Sequence, residues 1–182
     1  MIEGCDRAAR LVDQLLTLAR LEPGAARPTE RCELARLARE VIADLAPLAL
    51  GKEVDIELRR AEPVSVEGHA ELLSVLLRNL VDNAVRYSSR GGSVNVDVVA
   101  SGEGATLSVA DEGPGAAPEE RARLGQRFYR VLGSGQTGSG LGLSIARRIA
   151  EIHTAQLRFE EGDNGKGLRV VIAFPRTART RR

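Results

Sequence analysis

The chain has no tryptophan, two tyrosines, three phenylalanines and two cysteines among its 182 residues. So few aromatics leave Leu, Val, Ile and Ala to build any core, and they make the adjacent pair Phe128 and Tyr129 conspicuous. Two thiols, Cys5 and Cys32, do not make a disulfide framework or a cysteine metal site; both read as free thiols in a reducing compartment. Apolar runs reach six residues, as at 45–50, against the ~18 that a membrane span requires, and charged residues stand where a signal peptide has its apolar core. The expected location is therefore the cytoplasm. Charge of one sign is missing too: the net charge is +1, and setting aside the four arginines after Pro175 leaves −3, which argues against nucleic acid as a partner. With 43% hydrophobic and 28% charged residues, the composition fits one compact domain with an appended element, not two full domains and not disorder.

Along the chain, Ala8, Leu11, Val12, Leu15, Leu16, Leu18 and Ala19 fall at helical spacing over 2–21, a wide apolar stripe with nothing nearby in sequence to bury it. Such a helix must dock on another helix. The Pro- and Gly-rich stretch that follows reads as a linker over 23–33. A second amphipathic helix is expected over 34–50 with Gly51 as its stop, then strands at 54–58 and 64–66, a long helix over 69–88, and a hairpin of 94–99 with 106–109. A short helix at 117–124, a glycine-studded loop at 126–140, a helix at 141–153 and closing strands at 157–160 and 168–174 complete the order. Hairpin-connected strands with helices gathered apart predict an α+β two-layer sandwich over 34–175, followed by a basic tail at 176–182 expected to be disordered.

Three constellations carry chemistry. The long helix places Asn79, Asn83 and Tyr87 at i, i+4 and i+8 on one face, with Arg86 adjoining. Two amides one turn apart suit a hard cation whose other ligands are phosphate oxygens, although a solvated polar stripe is the commoner outcome of such a pattern. Asp111 stands where a strand ends and a Gly113/Gly115 turn begins, placed to accept from an exocyclic amine; the same residues also make ordinary turns. Gly138, Gly140 and Gly142 lead directly into an amphipathic helix, exposing the unpaired N–H groups of a helix N-terminus to phosphate. The loop before it carries Arg127, Phe128, Tyr129 and Arg130 and reads as a lid.

Asn-Leu-x-x-Asn-Ala at 79–84, Asp-x-Gly-x-Gly at 111–115, Arg-Phe-Tyr-Arg at 127–130 and Gly-Ser-Gly-Leu-Gly-Leu at 138–143 occur in the order of the N box, first glycine box, F box and second glycine box. The chain thus resembles the catalytic ATP-binding part of bacterial two-component sensor histidine kinases, of the Bergerat-fold ATPase superfamily, and residues 1–22 resemble the second helix of such a kinase's dimerisation and phosphotransfer hairpin. The resemblance implies that Asn79 and Asn83 hold Mg2+ on the phosphates of ATP, that Arg86 contacts phosphate and that Tyr87 lies beside the adenine. It further implies that Asp111 binds the adenine amine, Gly113 and Gly115 admit the base, Arg127 and Arg130 meet the γ-phosphate, and Gly138, Gly140, Leu141 and Gly142 donate backbone N–H groups. Asn79 occupies the place of a water-activating Glu in related ATPases; an amide takes no proton from water, which favours phosphoryl transfer over hydrolysis.

Three departures accompany the resemblance. The family's phosphoacceptor histidine lies in a first hairpin helix that this sequence lacks, and its own His69 and His153 read as surface residues. Gly125 replaces the usual F-box phenylalanine, leaving Phe128 as the expected lid anchor, and Leu168 stands where relatives often have a Thr near the adenine. The implied partners are a histidine-bearing hairpin from another chain or a missing N-terminal part, a response regulator, and a second copy in a homodimer; a longer parent is expected to be anchored in the inner membrane. The alternative reading is a non-catalytic nucleotide-binding or dimerisation module that associates with a partner kinase.

Overall fold

Apolar residues three and four apart give the first described helix its buried stripe. The structure, a computed structural model describing residues 29–102, 104–131 and 139–176, opens with strand β1 (Glu30–Glu33) and helix α1 (Leu34–Lys52), which buries Leu34, Leu37, Ala38, Val41, Leu45 and Ala49. The helix expected over 2–21, most of the linker, Cys5, Gly138 and the tail beyond Arg176 lie outside the described residues. The linker expected to reach residue 33 ends earlier, because β1 pairs antiparallel with β3 (Ser65–Gly68) and Cys32, 1% exposed, packs opposite Val66. One apolar residue among charged ones gives no alternation to read, and its pairing partner is distant in sequence.

The stop expected at Gly51 is also displaced. α1 runs on to Lys52 and ends where Glu53 takes the left-handed conformation (φ 57°), its N–H bonded to the carbonyls of Ala49 and Leu50. A non-glycine rarely adopts that conformation. Here the turn after the long helix holds it: Gly91 N–H donates to Glu53 O (2.7 Å), and Arg90 pairs with the Glu53 carboxylate.

Strand β2 (Asp55–Ala61), β3, helix α2 (Ala70–Tyr87), the hairpin β4 (Ser93–Ser101) and β5 (Gly104–Asp111), the short helix α3 (Pro118–Arg121), helix α4 (Gly142–Ile152), β6 (Gln156–Glu161) and β7 (Leu168–Pro175) follow. The main sheet has the order β2-β4-β5-β7-β6, antiparallel except for the β2/β4 pair. Val94, Val96 and Val98 of β4, Leu107 and Val109 of β5, and Val170, Ile172 and Phe174 of β7 share one core with α1, α2 and α4. This is the expected α+β two-layer sandwich. On the opposite face Asp97 is buried beneath Arg59 (2.9 Å) and Arg60 (3.1 Å); burial alone would raise its carboxyl, but the two guanidiniums outweigh it and hold it below the usual range.

His153 is not a surface residue. It ends α4 and is only 8% exposed, its ring turned into space that exists because residue 68 is glycine: a Cβ on Gly68 would stand 2.5 Å from the imidazole Cδ2. Its Nε2 accepts from the His69 N–H (3.0 Å) and its Nδ1 lies 2.8 Å from Ile149 O, which fixes a neutral ring protonated at Nδ1 and ties the end of α4 to the start of α2. Burial depresses its pKa below the ordinary 6.5, with the bond to Ile149 opposing and His69 adding to the depression. A base with a lowered folded-state pKa binds fewer protons folded than unfolded, so its stabilisation is intact above about 6.5 and is lost as pH falls below that value. Thermal melts between pH 7.5 and 5 will therefore show a fall in Tm that is smaller in His153→Gln; parallel curves would rule the latch out.

Candidate nucleotide-binding site

The site is laid out along α2. Its core face (Leu73, Leu76, Leu77, Leu80, Val81, Ala84) fixes the helix on the sheet, which leaves Asn79, Asn83 and Tyr87 half-buried along the adjoining side. Tyr87 and Asn79 are two turns apart, about 12 Å along the axis, comparable to the reach of a nucleoside triphosphate from base to phosphates. Asn79 donates from Nδ2 to Val75 O (2.8 Å), and its Oδ1 faces α4, 3.1 Å from where a Cβ on Gly142 would be. Glycine at 142 therefore lets the N-terminus of α4 approach the amide. Asn83 makes no side-chain hydrogen bond among the described residues. Arg86 is engaged within its own helix, Nε to Asp82 Oδ2 at 2.7 Å, so a phosphate must compete with that pair.

At the other end, β5 delivers Asp111, 5% exposed. Its Oδ1 accepts from the N–H groups of Gly113 (2.9 Å) and Leu168 (3.2 Å), while Oδ2 accepts no hydrogen bond among the described residues. Burial pushes the carboxyl up; the two backbone donors and the Lys52 charge pull the other way without cancelling it. Gly113 and Gly115 serve backbone packing at this corner. A Cβ on Gly113 would meet Tyr87 O at 2.5 Å, and one on Gly115 (φ 71°) would meet Gly167 O at 2.7 Å. Gly167 (φ 72°) was not legible as part of the site, yet a Cβ there would stand 1.7 Å from Asp111 O; the turn-rich run Asp163 to Gly167 was its only signal. Leu168 contributes its N–H rather than its side chain.

Among the second glycine box residues, Leu141 is a core residue and the N-cap of α4, and its N–H goes to Ser139 Oγ (3.2 Å) rather than outward. The helix's first backbone bond runs from Ile145 N to Leu141 O (2.9 Å). The N–H groups of Gly142, Leu143 and Ser144 consequently have no partner among the described residues and form the open, positive end of the helix dipole. Gly140 (φ 73°) accepts from Phe128 N (3.1 Å), joining the segment around Phe128 to the start of α4.

The expected lid anchor is corrected. Phe128 is 67% exposed, and Tyr129 is the aromatic that packs on the core, with the Arg123 guanidinium 4.3 Å above its ring. Phe128 takes left-handed backbone (φ 63°), which turns its side chain away while Tyr129 turns inward. Arg147 on α4 fastens the start of the segment, donating from Nη2 to Leu124 O (2.6 Å) beside the left-handed Gly125. Of the two arginines flanking the aromatic pair, Arg127 is exposed and Arg130 half-buried.

A sheet backed on one face by helices, with a buried carboxylate beside the C-terminal end of α2 and the N-terminus of α4 against the middle of it, is the architecture of an ATP-binding module of the Bergerat fold. The family described as "Histidine kinase-, DNA gyrase B-, and HSP90-like ATPase" matches residues 68–178, and the chain belongs to it, as the ATPase portion of a sensor histidine kinase. It is 43% identical over 164 residues to "Sensor protein QseC" of Escherichia coli K12, covering 89% of this chain and 36% of that protein. It is 40% identical to "Sensor protein kinase PmrB" of Pseudomonas aeruginosa, covering 94% and 36%. The chain thus spans just over a third of the length of these curated relatives. Among solved structures, the cytoplasmic segment of histidine kinase QseC matches with a TM-score of 0.67 and 32% identity, covering 94% of this chain and 95% of that one. Full-length ShkA in complex with AMPPNP matches with a TM-score of 0.80 and 30% identity, covering 97% of this chain and 38% of that one. Among the described residues, no helix is long and apolar enough to cross a membrane.

Proposed function

We propose that the chain binds Mg-ATP along α2 and donates the γ-phosphate to a histidine on a dimerisation hairpin. The observation that carries this reading is the state of Asp111, whose Oδ1 is saturated by two backbone donors while Oδ2 is left for one more, the requirement for accepting from the adenine amine. The AMPPNP bound to the related ShkA supports an adenine nucleotide as the ligand. Tyr87 lies beside the base, and Gly113 and Gly115 set the backbone that admits it. One and two turns away, the half-buried amides of Asn83 and Asn79 offer oxygens to Mg2+, and a cation held by two neutral amides needs phosphate oxygens to complete its shell. The ion supplies charge neutralisation on the phosphate oxygens. Gly140, Leu141 and Gly142, with Gly138, line the approach to the α4 N-terminus, where the free N–H groups hold phosphate. Arg86, once exchanged from Asp82, and Arg127 and Arg130 in the lid spread the charge that develops on the transferred group.

In the transfer, a P–N bond forms to the acceptor imidazole as the bridging P–O bond breaks and ADP leaves. His153 is unsuited as acceptor, since both ring nitrogens are engaged and the ring is buried. The acceptor belongs to a hairpin whose second helix is residues 1–22, joined by a linker to a catalytic unit that begins at β1 and extends to about residue 175. A homodimer, a response regulator as the next phosphate acceptor, and a membrane-anchored parent complete the proposal. Radiolabelled ATP with an isolated histidine-bearing hairpin tests it: label on the hairpin is expected, whereas tight association without label favours the non-catalytic module. Calorimetric titration with ATP, with and without Mg2+ and with GTP as control, is expected to give saturable, Mg2+-assisted, adenine-selective binding.

A further inference from the structure

Behind Asp111 lies a residue that no local sequence signal marks. Lys52, the last residue of α1, extends its Nζ to Val85 O (2.9 Å) and to Arg86 O. These are two of the carbonyls that the end of α2 leaves without helical partners. The third, Tyr87 O, is pressed against Gly113, where a Cβ would come within 2.5 Å of it. Gly113 in turn donates to Asp111 Oδ1 at 2.9 Å. One ammonium therefore closes the helix end on which both the tyrosine and the carboxylate turn are seated, and a cation at a helix C-terminus is favoured by the helix dipole.

We infer that Lys52 is a positioning residue for adenine recognition: it caps the C-terminus of α2, seats Tyr87 and Gly113 against Asp111, and supplies the fixed positive charge behind the Asp111 carboxylate. The inference rests on the reading of Asp111 as the adenine acceptor and assigns what controls it.

The electrostatics run the same way. Burial raises the Asp111 carboxyl, and Lys52 is the charged side chain that opposes this. Burial and Arg86 depress the Lys52 ammonium, and Asp111 opposes that. Arg86 and Tyr87 lie at the same end of α2, Asp82 one turn before, Glu53 next to Lys52 with Arg90 paired to it, Glu112 next to Asp111, Asp97 on β4 and Arg169 on β7. Arg86 is paired with Asp82, Arg169 with Asp163, and Glu112 accepts from Ser93 N. Each of Lys52 and Asp111 thus favours the charged form of the other. Only the ionised carboxylate accepts fully from the adenine amine, so affinity is intact above the pKa of Asp111 and is lost as pH falls through it. Removing the Lys52 charge moves that loss to higher pH.

ATP affinity of the full chain, measured by calorimetry from pH 8 to pH 5 for the parent, Lys52→Arg, Lys52→Met and Lys52→Gln, tests this. Comparison with the parent at each pH cancels the titration of the nucleotide itself. Lys52→Arg is expected to keep the parent profile. Lys52→Met and Lys52→Gln are expected to lose affinity at higher pH than the parent, by roughly tenfold at the acid end, the effect of one partly buried charge contact. Gln still donates to the α2 carbonyls, so it separates charge from capping. Affinity lowered equally at every pH, or a carboxyl NMR titration of Asp111 unchanged by Lys52→Gln, would overturn the inference. Asp111→Asn is the separate control. If it binds ATP like the parent, the adenine reading itself fails; if it loses ATP while the Lys52 variants titrate like the parent, only the role of Lys52 falls.

Discussion

Replacing Asp111 by Asn is expected to weaken ATP binding by two orders of magnitude or more while leaving the melting temperature at or above that of the parent. Asparagine keeps an oxygen for the Gly113 and Leu168 N–H groups, so the corner between β5 and β7 retains its hydrogen bonds. What changes is the second position, where Oδ2 becomes an amide donor facing the donor of the exocyclic amine. Loss of a charge-assisted hydrogen bond costs about 1.5–3 kcal/mol, and a donor opposed to a donor adds to it; about 2.7 kcal/mol is already a hundredfold. The stability effect has the opposite sign. A carboxyl whose folded-state pKa is raised destabilises the fold above that pKa, because its charge is buried there, and the cost is relieved as pH falls through it. Asn carries no such cost at pH 7. Ala is the poorer test, since it strips the acceptor from two backbone donors, at about 1–3 kcal/mol for each one left unsatisfied. Titration of Asp111→Asn with ATP and GTP beside a thermal melt decides the matter; parent-like ATP binding would remove Asp111 from the site.

The first glycine box was legible in sequence while its support was not. Asp111, Gly113 and Gly115 lie within five residues, so spacing alone brings them together. Gly167, Leu168 and Lys52 reach the same corner from a β turn and a helix end far off in the chain, and nothing local marks them. The long helix α2 was plain because its leucines recur every three or four residues over 18 positions. The four-residue strand β1, with Cys32 as its one buried residue, offered no period to count. His153 was misread for the same reason: a histidine at a helix end looks solvent-facing unless it is known that the glycine 85 positions earlier leaves room for its ring. Before α4, sequence identified the aromatic pair but not which member turns inward, since that depends on a left-handed backbone at Phe128 held by Gly140.

The second large effect is expected at Asn83, and it separates metal from nucleotide. Asn83 is half-buried with no hydrogen bond to its side chain among the described residues, so Asn83→Ala breaks no hydrogen bond there and should change stability by no more than about 0.5 kcal/mol. Asn79 gives a less clear answer, because its amide is also bonded to Val75 O at 2.8 Å and abuts Gly142 where α2 meets α4. In chelator, Asn83→Ala and the parent should bind ATP alike. On adding Mg2+ the parent should gain affinity and the variant should gain little. Loss of even an outer partner of a metal ligand costs roughly 10–100-fold in metal affinity, so loss of a ligand should reach at least that range, and label transferred to the hairpin should fall with it. An equal Mg2+-dependent gain in both proteins would place the cation elsewhere along α2, with Asn79 left as the amide to hold it.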